Sequence, residues 1–250
     1  MRSLFPFYPE RIVARALDFI FPPHCLLCDY SVVKMGTFCA SCWKKIHFLE
    51  SSLCDICGAP LAEIASGKIC LPCQENPPQF VAARAAIRYT KNSKALVRQL
   101  KFSDQLHIAP YAADWMLRAG RDFFSKIDII IPVPLHRFRL WRRRYNQSGL
   151  LAKYLARKIH IICQPQYLKR RKATREQAQL TRSSRQKNIQ GAFHVPRIYR
   201  KKIADKTILL IDDVMTTGAT ANAAAKELKR AGAKQVYVLT LAHRLAKRQS

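Results

Sequence analysis

No apolar run in this 250-residue chain approaches the length a bilayer requires, which argues against a transmembrane helix. No secretory leader is expected either, because Arg2, Glu10, Arg11, Arg15 and Asp18 interrupt the stretch from Met1 to Phe21 before a long apolar run develops. Low-complexity sequence is absent, and no internal repeat exists apart from two cysteine quartets, which excludes a repeat array. Acidic side chains are few: 16 Asp and Glu face 44 Lys and Arg, for a formal net charge of +28. This balance specifies no fold, but its positive potential attracts polyanions such as nucleic acid, acidic lipid or phosphorylated small molecules.

Cysteine nearly vanishes after Pro77, since eight of the nine precede it. Those eight form four Cys-x-x-Cys pairs, Cys25 with Cys28, Cys39 with Cys42, Cys54 with Cys57, and Cys70 with Cys73. So short a block cannot bury much apolar surface, so disulfides or metal must supply its stability. Regular spacing favours metal over redox dithiols. The lack of a leader points to a reducing, cytoplasmic compartment, where thiolates persist as metal ligands and structural disulfides do not. One pair presents two sulfurs from a tight turn, so two pairs close a tetrahedral zinc site with no position left for water. Two structural zinc ions are therefore expected, in two successive ribbons. One ribbon uses Cys25, Cys28, Cys39 and Cys42, the other Cys54, Cys57, Cys70 and Cys73; spacing alone leaves crossed pairings open. Met35-Gly36 and Ser66-Gly67 mark hairpin turns within the ribbons. Between Cys42 and Cys54 there is no glycine, and Trp43, Ile46 and Leu49 at helical spacing read as a connector. His24 and His47 are bystanders, and Cys163, alone in an apolar stretch, is expected in a core.

The chain divides into a short amphipathic helix within residues 1–22, a double zinc ribbon over 23–76 and a larger domain over 77–250. The helix ends at Pro22-Pro23 and either docks on the protein or lies on a membrane surface. Beyond Asn76-Pro77-Pro78, Val81 to Tyr89 reads as a strand, followed by helices at Lys94 to Phe102 and Ala109 to Phe124. Ile127 to Val133 is a buried strand with a stiff exit at Pro132-Val133-Pro134. Asn146 can cap a helix from Gln147. Ile159 to Cys163 and Thr207 to Ile211 read as further strands, Ala221 to Gly232 as a helix and Gln235 to Leu241 as the last strand. Such alternation implies an α/β fold with a parallel sheet.

Thr207 to Ile211 places Asp212 and Asp213 just beyond the carboxyl end of a buried strand, where open α/β sheets gather their ligands. Neighbouring carboxylates there can accept hydrogen bonds from a vicinal diol. Thr216, Thr217, Gly218, Ala219 and Thr220 open a helix whose free amides point at an anion, and Gly218 lets the backbone come close. Diol and phosphate at that separation describe a ribose 5-phosphate. The stretch resembles the phosphoribosyl pyrophosphate (PRPP) motif of type I phosphoribosyltransferases. That resemblance implies that Asp212 and Asp213 hold the ribose hydroxyls, that Thr216 to Thr220 hold the 5-phosphate, and that magnesium arrives with the pyrophosphate. Arg137, Arg139, Arg142, Arg143 and Arg144, in the loop after Pro134, are placed to meet pyrophosphate, with Arg139 and Arg143 the chosen pair. A second basic stretch, Lys169 to Lys187, lies where that family has a mobile loop. Either stretch is also compatible with a solvated charge run.

Taken in order, the zinc knuckles, Pro132-Val133-Pro134-Leu135, Arg143-Arg144-Tyr145-Asn146-Gln147, Asn188-Ile189-Gln190-Gly191-Ala192-Phe193 and the PRPP loop resemble the ComF family of competence-associated, phosphoribosyltransferase-like proteins. Arg144 stands where many members carry glycine. The resemblance implies a role in natural transformation, with incoming single-stranded DNA handled on the cytosolic side together with a helicase of the same pathway. Arg142, Arg144, Arg171, Arg182, Arg185 and Lys187 are then the candidate DNA contacts, with Phe138, Trp141 and Tyr145 available to stack on bases. Three readings stay open: a phosphoribosyltransferase with a small-molecule or nucleobase acceptor, a DNA-binding module with a regulatory PRPP pocket, and a zinc-ribbon scaffold. The last leaves the aspartates without a purpose.

Overall fold

In a computed structural model that describes residues 22–28, 30–50, 52–61, 68–100, 108–136, 140–141, 145–171, 189 and 191–245, the apolar runs become a parallel sheet with helices on both faces. The chain separates into two compact units, Met1–Lys45 and Ile46–Ser250. The first amphipathic segment and Ser66-Gly67 lie outside the described residues.

In the first unit, His24 bridges Ser31 in antiparallel fashion, and the turn expected at Met35-Gly36 is present, with Gly36 at φ +82°. Helix α1, Ala40–Trp43, carries Cys42 inward.

The second unit holds α2 (Leu71–Glu75), β1 (Ala82–Arg88), α3 (Lys91–Gln99), α4 (Ile108–Gly120), β2 (Ile129–Pro132) and α5 (Gln147–Ile159). It continues through the short hairpin strands β3 (Lys169–Arg170) and β4 (Phe193–His194), then α6 (Arg197–Ile203), β5 (Thr207–Met215), α7 (Ala219–Arg230) and β6 (Gln235–His243). Strand order is β1-β6-β5-β2, and every neighbouring pair in this sheet is parallel. Ile208, Leu210, Val236 and Val238 face the alanine-rich stripe of α7, Ala221, Ala224, Ala225 and Leu228, in one buried cluster. Alternate residues of the same strands face the opposite way, towards α4 and α5. There α4 lies so close to β6 that a Cβ on Gly120 would come within 2.8 Å of the Leu239 side chain. Burying each large aliphatic of this core contributes about 1.5–3 kcal/mol.

Both edges of the sheet are covered, which guards against pairing with other chains. Along β1, the Leu49 N–H donates to Ala86 O at 3.0 Å and the Arg88 N–H to His47 O at 2.8 Å, with Phe48 bridging Ile87. The connector after Cys42 is therefore extended past Lys45, because β1 offers it a free row of donors and acceptors. Along β2, the Ile130 N–H donates to Ile162 O at 2.9 Å.

Two expectations change here. The apolar stretch Ile159 to Cys163 is not a strand: Ile159 ends α5, His160 takes the left-handed conformation at φ +56°, and Cys163 makes a single bridge to Ile130. Local β-branched content is overridden by the helix that precedes it. Asn146 sits at the N-cap of α5, but its amide donates to Val133 O at 3.1 Å and caps nothing. The carbonyl just past β2 claims it.

Candidate functional site

Strand β5 is longer than its apolar run. Because β6 extends equally far, Asp212 pairs in register with Thr240, Val214 with Ala242 and Met215 with His243. The two aspartates thus lie inside the strand, not just beyond it, where the sheet frame fixes them. Asp212 Oδ1 accepts from the Ser148 hydroxyl at 2.9 Å and from the Asp213 N–H at 2.9 Å. Asp213 Oδ1 accepts from the Val214 N–H at 2.8 Å. Burial, and after it the neighbouring Asp213 carboxylate, push the Asp212 acid up to about 8, against the pull of the Ser148 hydroxyl and the Asp213 amide. An acid held so far above its usual range gains most from a ligand that brings donors or positive charge.

Beyond Met215 the chain turns into α7 through Gly218, whose φ of +73° is left-handed. Gly218 occupies the N-cap and no side chain caps the helix there. A Cβ built on it would meet nothing within 4 Å, so the backbone here faces open space. This is the geometry of a helix start that receives an anion. Asp212, Val214, Met215, Thr216, Gly218, Thr220, Ala221 and Thr240 line one pocket at this junction. Of the residues expected at the site, Asp212, Thr216, Gly218 and Thr220 are brought together around it. Asp213, Thr217 and Ala219 are not among its lining residues; Thr217 is exposed and its hydroxyl accepts from the Ala219 N–H at 3.5 Å. Asp213 instead acts on Tyr89: burial, opposed by Arg244 and reinforced by Asp213, raises the Tyr89 phenol.

Sequence reading passes over Ser148 and Thr240. Both are nearly inaccessible, at 3% and 1% exposure. A hydroxyl in the otherwise apolar run Val236 to Ala242 is a signal for Thr240; nothing local marks Ser148. In the first turn of α5, Gln147 Nε2 and Asn146 Oδ1 are buried without hydrogen-bond partners among the described residues. Magnesium suits the hard oxygen set. Arg139, Arg142, Arg143, Arg144, Arg182, Arg185 and Lys187 lie outside the described residues. Arg171 is described, and its backbone N–H donates to Ala192 O at 2.8 Å beside the β3–β4 hairpin. Trp141 is 85% exposed, whereas the Tyr145 hydroxyl is committed to the Leu100 carbonyl.

The sulfurs converge as two quartets, Cys25 with Cys28, Cys39 and Cys42, and Cys54 with Cys57, Cys70 and Cys73, all within 4.8 Å of one another in each. Measured separations of 3.7 Å for Cys28 to Cys39, 3.5 Å for Cys42 to Cys28 and 3.6 Å for Cys57 to Cys70 match the ~3.8 Å edge of a tetrahedron with zinc–sulfur bonds of about 2.3 Å. The Cys39 N–H donates to Cys25 Sγ and the Cys70 N–H to Cys54 Sγ, each at 3.3 Å. Such amides outweigh burial and hold the Cys25 and Cys54 thiols down to about 7. Burial and the crowding of neighbouring sulfurs push Cys42 and Cys73 up to about 12. A divalent cation relieves that crowding, so both quartets fit structural zinc. Among the described residues no helix is long and apolar enough to cross a membrane.

Comparison with known proteins agrees with both parts. Residues 16–74 match the double zinc ribbon domain family and residues 148–250 the phosphoribosyl transferase domain family. Competence protein F of Haemophilus influenzae is 31% identical over 225 residues, covering 87% of this chain and 96% of that protein. DNA utilization protein YhgH of Escherichia coli K12 is 31% identical over 231 residues, covering 90% of this chain and 98% of that one. A solved structure, the glutamine PRPP amidotransferase from B. subtilis, matches at 17% identity and a TM-score of 0.36 over 57% of this chain; the chain spans only 30% of its length.

Proposed function

We propose that this chain, which belongs to the ComF family of competence-associated proteins, binds PRPP with magnesium at the β5–α7 junction and single-stranded DNA on its basic loops, during the cytosolic handling of DNA in natural transformation. One observation carries the ligand reading: a half-buried acid, Asp212, and an open glycine-started helix, at Gly218, line the same pocket. Asp212, oriented by Ser148, and Asp213 are the proposed acceptors for the ribose hydroxyls, and the amides and hydroxyls from Thr216 to Thr220 the proposed holders of the 5-phosphate. Magnesium, when bound, neutralises charge on the pyrophosphate. Arg139 and Arg143 supply further cations for that group, and the partial burial of Asp212 raises its pKa.

The DNA reading draws on the net charge of +28, on the relatives' names and on Trp141, whose exposed indole sits in a run rich in arginine. Arg142, Arg144, Arg171, Arg182, Arg185 and Lys187 are the proposed phosphate contacts, and a helicase of the same pathway is the proposed protein partner. The test is titration with single-stranded DNA at several salt concentrations, with and without PRPP and magnesium. Binding of neither ligand overturns the proposal.

A phosphoribosyl transfer to a small-molecule or nucleobase acceptor, without a DNA role, is the second reading. The ordered hydrogen bonds on Asp212 favour it, since a merely vestigial pocket does not require them. Magnesium-dependent pyrophosphate release on adding candidate acceptors supports it, and its absence with every acceptor class leaves the binding role alone.

A further inference from the structure

We propose that the zinc site formed by Cys54, Cys57, Cys70 and Cys73 is energetically coupled to the sugar-phosphate pocket, with Ile56 and His243 as the positioning residues that join them; this rests on the ligand reading above.

The knuckle from Cys54 to Gly58 is built into the sheet. The Ala83 N–H of β1 donates to Ile56 O at 2.6 Å, and Arg84 Nη1 donates to the carbonyls of Cys54 and Asp55 at 3.3 and 3.1 Å. Gly58 has φ +68°, and a Cβ there would lie 2.5 Å from Ala83 O, so only glycine permits this approach. The Ile56 side chain, between two zinc ligands, packs against the buried cluster that contains Met215 and Ala221. Both of those residues line the pocket.

A second link runs through β6. His243 is 6% exposed, and the Gly58 backbone is its hydrogen-bond partner. Its Nδ1 has no partner among the described residues, which assigns the donor as Nε2. His243 also pairs in register with Met215, and the next N–H, of Arg244, donates to Met215 O at 2.7 Å. One residue thus links the two, its imidazole at the metal knuckle and its backbone beside the strand end that shapes the pocket. Packed interiors pass on displacement with little compliance, so a ligand that fixes Met215 and Ala221 also fixes Ile56 and Gly58. Coupling of this kind is reciprocal: occupation of the pocket must strengthen zinc retention.

The other quartet, Cys25, Cys28, Cys39 and Cys42, belongs to the separate unit and serves as an internal reference. The full-length protein loaded with two zinc ions is titrated with an organomercurial, and released metal is read with a chromophoric chelator, with magnesium in both arms and PRPP in one. One of two release phases is expected to slow at least tenfold with PRPP, while the other is unchanged. In His243→Ala the slowing is lost, and in His243→Gln, whose amide can still donate to Gly58 O, it returns. Calorimetry on the same samples establishes PRPP binding separately. Absence of binding overturns the ligand reading and the coupling with it. Binding without any change in release, or equal slowing of both phases, overturns the coupling alone. The wild-type comparison decides this even where His243→Ala does not fold.

Discussion

The Ser148 hydroxyl donates to Asp212 Oδ1 at 2.9 Å, joining the first turn of α5 to the middle of β5 across 64 residues of sequence. Removing that donor leaves a buried carboxyl oxygen with one partner fewer and a still stronger preference for its proton. Ser148→Ala is therefore expected to weaken PRPP binding about tenfold, the equivalent of ~1.4 kcal/mol, with little loss of thermal stability. Isothermal titration alongside a thermal melt checks this; an unchanged dissociation constant removes Ser148 from the site.

Asp212 also makes stability depend on pH. Its ordinary value is 3.8 and the folded value is about 8, so between them the native state holds a proton that the unfolded chain has released. Stability from this group accordingly falls as pH rises through that window. Asp212→Asn abolishes the dependence. Without ligand, the variant should melt close to wild type near pH 4 and several degrees above it at pH 8, measured by scanning calorimetry. A difference that does not grow with pH contradicts the assignment.

Gly218 is needed for its backbone and for the space beside it. Gly218→Ala places an L residue at φ +73°, at a cost of about 1 kcal/mol and a melting shift of ~2–4 °C. It also puts a methyl group into the open space where the proposed phosphate would approach. Affinity for ribose 5-phosphate, followed by competition with PRPP, should fall by more than that small stability loss accounts for.

Metal content gives a simple count. Atomic emission should find two zinc ions per chain, and Cys28→Ser or Cys57→Ser should reduce this to one. Cys57→Ser is expected to be the more damaging to the melt of the α/β domain, because its knuckle is bonded to β1. Equal damage from both contradicts that placement.

For the basic loops, the double replacement of Arg142 and Arg144 by alanine should shrink the slope of log affinity against log salt for single-stranded DNA by about 1.4, at ~0.7 per phosphate contact. An unchanged slope rules these arginines out.

Much of this was legible from local pattern. The cysteine spacing predicts both quartets, because a knuckle is set by four consecutive residues. Apolar runs predict β1, β2, β5 and β6, and glycine within a threonine-rich turn predicts the open start of α7. What was not legible depends on partners distant in sequence. Asp212 lies within β5 because β6 runs alongside it as far as His243. Ile159 to Cys163 looks like a strand, yet its neighbouring helix consumes the first residue and only Ile162 and Cys163 reach β2. Ser148 has no local mark at all, since its role is defined by an acid on another element. Likewise, the covering of the β1 edge by His47 and Leu49 cannot be read from a connector that carries no strand pattern of its own.

The central claim is that Asp212 and Asp213 grip a ribose ester together with the helix start at Gly218. Calorimetric titration of the full chain with PRPP in excess magnesium tests it most directly, comparing wild type with the Asp212→Asn, Asp213→Asn double variant. Saturable one-to-one binding to wild type and a loss of at least a hundredfold in the folded double variant are expected; equal affinity in the two proteins, or no binding to wild type, contradicts it.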